Sequence, residues 1–113
     1  MGALAEITAD LVATLQGAGI EVITDPRQLR PNVTLVEPPR VVGISGKLSD
    51  VEWDLNVCTL PATDVGALTT LLDIVDVIVE TVPVSSANPG TYSTGNQELP
   101  AYTVTVKQTI RRD

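Results

Sequence analysis

The chain has no histidine and no phenylalanine, one cysteine, and aromatic side chains only at Trp53, Tyr92 and Tyr102. Each scarcity narrows what the protein can do. Histidine is the commonest general base and metal ligand near neutral pH, so hydrolytic chemistry would need paired carboxylates or an activated lysine. The expectation is a protein that is not an enzyme, with no catalytic residues, no cofactor and no metal. A lone Cys58 excludes an intrachain disulfide and any multi-cysteine metal site. With so few aromatics the core must be aliphatic. No apolar run reaches the roughly 18 residues of a membrane span, and Glu6 and Asp10 fall where a signal peptide would be continuously apolar. The chain therefore reads as soluble and not secreted. Basic residues are also scarce: 7 against 14 acidic ones give a net charge of −7. That field repels nucleic acid and anionic membranes, which disfavours sequence-specific nucleic-acid binding but suits a surface past which DNA slides without sticking.

What is present suffices for one domain over residues 1–113. Hydrophobic residues make up 43% and charged residues 19%, an ordinary globular balance. Leu4, Ile7, Leu11 and Leu15 recur at helical spacing, predicting an amphipathic helix over 3–18 that stops at Gly17 and Gly19. Short strands follow at Ile20–Thr24 and Val33–Val36, broken by Asp25-Pro26 and Pro38-Pro39. Val41, Val42 and Ile44 are compatible with a further short strand weakened by Gly43 and Gly46. Val51 to Leu60 carries the clearest strand signal, with Trp53, Leu55 and Val57 on one face and Glu52, Asp54 and Asn56 on the other. A second helix runs from a Thr63 or Asp64 cap to Thr81, with a broad apolar face from Leu68, Leu71, Leu72, Val75, Ile78 and Val79. A final strand alternates Tyr102, Val104, Val106 and Ile110 against Thr103, Thr105, Lys107 and Thr109. These elements predict an α+β fold: a two-layer sandwich of a mixed or antiparallel four- to five-stranded sheet with two helices on one face.

Between Val82-Pro83-Val84 and Leu99 lies a run rich in Ser, Thr, Asn, Gly and Pro, residues 85–98, which reads as a long polar loop. Loops longer than roughly 12 residues are uncommon in compact domains and are usually functional or disordered. Projecting on the order of 20 Å, the loop would reach a neighbouring molecule, with Asn88, Tyr92 and Asn96 as its contact residues.

Few side-chain clusters point to chemistry. Asp73, Asp76 and Glu80 form one acidic stripe on the second helix, either a solvated face or a cation-seeking surface for a partner's Lys and Arg or for a divalent metal. Lys107, Arg111 and Arg112 make the end of the sequence basic. A head-to-tail contact between this basic cluster and the acidic stripe of another copy would close a ring. Gly43-Ile44-Ser45-Gly46-Lys47 lacks the spacing of a phosphate loop, and Leu48 stands where a hydroxyl is needed. Glu52 and Asp54 share a face but have no partner base, which favours the wet side of a sheet. Trp53 reads as a core anchor and Cys58 as a buried or half-buried thiol.

The arrangement resembles the tail terminator proteins of long, flexible-tailed bacteriophages. The likeness rests on the opening amphipathic helix, Thr24-Asp25-Pro26-Arg27, Val33 to Val36 with Pro38-Pro39, and the Trp53-Asp54-Leu55-Asn56-Val57 strand before an aliphatic helix. It extends to the closing Leu99-Pro100-Ala101-Tyr102-Thr103-Val104-Thr105-Val106 strand. The resemblance implies a virion protein assembled in the host cytoplasm as a hexameric ring. Such a ring caps the tail tube, stops its polymerisation, meets the head-side connector and passes DNA through its centre. Its partners would be further copies of itself, the tail tube protein and the connector or head-closure protein. The alternatives are a head-closure or neck protein of the same machine and, in a different class, a small α+β ligand-binding domain or carboxylate-based enzyme.

Overall fold

The computed structural model describes residues 3–28, 30–45, 48–59, 66–94 and 97–111. In chain order these form helix α1 (Ala3–Gly17), strand β1 (Val22–Ile23), a 3-10 turn (Pro26–Gln28), β2 (Thr34–Val36), β3 (Arg40–Ser45), β4 (Leu48–Cys58), helix α2 (Ala67–Thr81), β5 (Val84–Thr94) and β6 (Gln97–Arg111). The strands make one sheet in the order β1-β2-β4-β6-β5, with β3 also paired to β4. Only β1 and β2 run parallel; the remaining pairs are antiparallel. The fold is thus the α+β sandwich that the apolar pattern predicts, with one strand more than the upper expectation.

β4 is the central strand because it alone alternates without interruption. Val51, Trp53, Leu55 and Val57 are fully buried against Leu11 and Leu15 of α1, Leu71, Val75 and Ile78 of α2, and Val104 and Val106 of β6. The Trp53 indole N–H donates to the Thr8 hydroxyl at 3.0 Å, fastening the sheet to α1 while satisfying a buried donor. α1 ends where Gly19 takes φ +89°, and the Ile20 amide returns to the Leu15 carbonyl. α2 begins one turn later than its sequence suggests: Gly66 is its N-cap, with no side-chain cap, and the expected caps Thr63 and Asp64 lie outside the described residues. Its β-branched last turns are poor helix formers held by burial, Ile78 completely so.

Pro38-Pro39 does not end the edge strand so much as interrupt it. β2 pairs with the last third of β4 and β3 with its first half, and the Glu37 amide reaches the Asp54 carbonyl between them. Both β2 and β3 therefore lie on the same side of β4.

The described residues of the polar stretch 85–98 are not a loop. They form strand β5 through Thr94 and the start of β6 from Gln97, in register from Val84↔Val106 to Thr94↔Gln97. The correction has a physical cause. A register shift between Val84 and Ser86 breaks the period of two, and Pro89 is tolerated because β5 is an edge strand that pairs on one side. β6 pairs with β4 only from Ala101 onward, so the β5–β6 hairpin continues past the end of β4. A fifteen-residue strand spans about 50 Å, which accounts for the longest dimension of 51 Å against 27 and 22 Å. The radius of gyration of 14.8 Å accordingly exceeds the roughly 13 Å of a compact domain this size.

Candidate functional site

Three surfaces are built by this sheet and its helices. The first is the sheet face turned away from α1 and α2. The alternation of β4 that buries Trp53 sends Asp50, Glu52, Asp54 and Asn56 to this face. In register beside them on β6 stand Thr109, Lys107, Thr105 and Thr103. The Thr109, Thr105 and Thr103 hydroxyls donate to Asp50, Asp54 and Asn56 at 2.6, 3.0 and 2.9 Å. Arg40, at the start of β3, donates to both carboxylate oxygens of Asp54 (2.7 and 3.2 Å) and to Glu52 at 2.9 Å. The guanidinium holds the Asp54 carboxyl below the usual carboxylate range, helped by the Thr105 hydroxyl and opposed by partial burial. Asp54, and then Glu52, in turn hold Arg40 firmly protonated. Glu52 and Asp54 are thus neutralised by a cation within the fold and act as struts between strands, the arrangement of a wet sheet face rather than of an acid–base pair.

The second surface is α2. Ala67, Leu71, Val75 and Ile78 face the sheet, while Thr70, Asp73, Ile74 and Val77 line an open groove of about 420 Å³ shared with Ala18, Gly19, Ile20, Glu21 and Asn32. The groove marks the flank of α2 next to α1 and β1. Leu68, Leu72 and Val79 fall within about 40° of one another on the helical wheel, on the opposite flank. They stay 58%, 39% and 48% exposed. Asp76 and Glu80 run beside that apolar stripe, exposed, with Asp73 at the groove end of the same acidic row. Across the groove, Glu21 is already paired with Arg30.

The third surface is the lateral edge formed by β3. Val41 and Val42 are 38% and 47% exposed there, and Leu48 at the foot of the β3–β4 hairpin is 47% exposed. Among the described residues, the exposed large apolar side chains fall only into these two groups, three on α2 and three on the β3–β4 hairpin. The two groups belong to different elements: β3 flanks the stretch of β4 level with Lys107–Arg111, whereas β5 flanks β6 only as far as Val106, and α2 packs across β4, β6 and β5.

The residues singled out from sequence are distributed across these surfaces. Asp73, Asp76 and Glu80 do form one exposed stripe. Lys107 and Arg111 lie on β6 in register with Glu52 and Leu48, on the open sheet face, and Lys107 approaches Asp50 at 3.9 Å. The acidic and basic groups thus occupy opposite layers of one molecule. Asn88 is exposed on β5 opposite Thr103, and Tyr92 stands opposite Leu99 in the hairpin. Arg112 and Asn96 lie outside the described residues. Cys58 is buried, and burial pushes its thiol pKa up.

Neither the protein-family models nor the curated proteins give a match to this chain. Among the described residues, no group of three or more His, Cys, Asp or Glu side chains is placed to hold a metal ion, and no helix is long and apolar enough to cross a membrane. Pattern reading overlooked the exposed apolar stripe. Its signal was present in the breadth of the α2 apolar face, too wide an arc for one helix to bury against one sheet.

Proposed function

We propose that this protein is a self-assembling structural subunit, and that its assembly is a ring of the kind formed by the tail terminators of long-tailed phages. The observation that supports this reading is the division of exposed apolar surface between α2 and the β3–β4 hairpin. A two-fold contact buries the same patch on both partners, whereas two different patches suit a heterologous contact that repeats around a closed circle. Isolated exposed leucines are ordinary on any protein. Two separate groups of three, one on a helix and one on a hairpin, are a docking arrangement.

The resemblance in sequence then supplies the role: a hexameric ring in the virion neck that stops growth of the tail tube, contacts the tube and the head-side connector, and lets DNA pass. A net charge of −7 on each of six subunits keeps passing DNA from adhering to the ring. The test is tail assembly with the tube protein of the same phage, viewed by electron microscopy. With this protein added, tubes should be shorter and carry a ring at one end. Tubes of unaltered length with bare ends would overturn the terminator role.

A further inference from the structure

Beyond the ring reading, we infer that Pro89 blocks the free edge of β5, so that copies of the chain cannot join their sheets strand to strand. A rival route of association is thereby closed. Of the strands at the lateral edges of the sheet, β5 is the longest, with eleven residues against six in β3 and two in β1. Such an edge presents a row of unpaired N–H and C=O groups, and proteins blunt it by shortness, charge, bulges or proline. β1 is blunted by its length, and β3 by the register shift between Val41 and Gly43. Val84–Thr94 carries no Asp, Glu, Lys or Arg, and its own register shift lies at the start, between Val84 and Ser86. Past Ser86 the remaining device is Pro89.

The direction in which Pro89 faces follows from the ladder. β6 bonds to its two neighbours by alternate residues. The Lys107 amide donates to the Pro83 carbonyl at 3.1 Å, and the Thr59 amide donates to the Pro100 carbonyl at 3.0 Å. Odd-numbered residues of β6 thus face β5, and even-numbered ones face β4. Asn88, Gly90 and Tyr92 stand opposite Thr103, Ala101 and Leu99, so their backbone groups point inward to β6. Those of Ala87, Pro89, Thr91 and Ser93 point outward. Proline has no N–H, so the missing donor falls in the middle of the outward row and takes nothing from the β5–β6 ladder. Two β5 edges laid antiparallel about a two-fold axis at Gly90 would set Ala87 against Ser93 and Pro89 against Thr91. The Thr91 carbonyl of each copy would then lack its donor at the centre of the contact. Pro89 itself is exposed, so replacing it leaves the core intact.

The experiment compares Pro89→Thr with wild type by sedimentation velocity and amide exchange, with Pro89→Val as a second variant. Both restore the outward donor on a residue that favours strands. A thermal melt within about 4 °C of wild type confirms that each is folded. Each should self-associate at least about tenfold more tightly than wild type, since two backbone bonds are regained per pair of copies. On association the amides of Ala87, Thr91 and Ser93 should exchange at least about tenfold more slowly. Adding Thr91→Pro to Pro89→Thr moves the gap to the next outward position and should return association to the wild-type level. Folded variants that associate no more than wild type overturn the block. A gain without slower exchange at those three amides places the contact elsewhere and overturns it as well, as does a gain that Thr91→Pro leaves untouched. A wild type that stays monomeric, alone and on tail tubes, overturns the ring reading and not the block, which is read from the difference between variant and wild type.

Discussion

At the scale of single residues, one polar group is out of place among the described residues and one polar cluster is well made. Thr34 is fully buried on the short strand β2, and its hydroxyl has no hydrogen-bond partner among the described residues. A buried hydroxyl left unpaired costs about 1–3 kcal/mol of desolvation. Thr34→Val keeps the shape and removes that cost, so urea denaturation should show a gain of about 1 kcal/mol; a loss of stability would mean the hydroxyl is satisfied. The Arg40 cluster predicts a pH effect. Asp54 is depressed in the folded state by Arg40 first and by Thr105 second. Its contribution is therefore complete above the unfolded value of about 3.9 and is lost as pH falls through that value to the lower folded one. In Arg40→Gln that contribution is weaker at neutral pH. The urea midpoints of wild type and Arg40→Gln should accordingly differ at pH 6 and converge at pH 2.5. A gap that stays constant across that interval would show that Arg40 does not act through Asp54.

At the scale of elements, legibility tracked the strength of the apolar period. α1, α2 and β4 were readable because Leu11, Leu15, Leu71, Val75, Ile78 and the Val51–Val57 alternation all recur at the period of the element they form. β5 was not, since Ser85, Ser86, Asn88, Pro89 and Gly90 are turn formers in isolation. Strand character there comes from a partner rather than from local preference: β6 supplies ten paired positions, from Val84↔Val106 to Thr94↔Gln97. The register shift after Val84 hides what alternation exists. The start of α2 was misplaced for a related reason, a Gly66 cap with no side-chain signature. The two candidate surfaces were half legible: the acidic stripe was visible in the 73, 76, 80 spacing, but β3 became an edge only through its long-range pairing with β4. This account of β5 changes what a deletion should do. Removing residues 86–97 uncovers one side of β6 and takes away Ala87, which packs on the core. The melting temperature should fall by more than about 10 °C, a loss of a few kcal/mol in a domain of this size. A deletion variant as stable as wild type would restore the view of this segment as a free loop.

At the scale of the whole molecule, length and charge work together. The 51 Å axis set by β6 makes the subunit elongated rather than rounded. A net charge of −7 makes copies of the protein repel one another. Assembly is therefore sensitive to ionic strength: salt screens this repulsion over a Debye length of about 10 Å at 0.1 M. What persists at high salt is the apolar contact. The most direct test of the central claim is thus the mass of the purified protein by sedimentation equilibrium, taken at rising concentration in moderate salt. Self-assembly into a closed ring predicts that mass levels off at a discrete multiple of the 11.9 kDa chain, with six copies giving about 71 kDa. A mass that remains at 11.9 kDa, or one that climbs without limit, would contradict it.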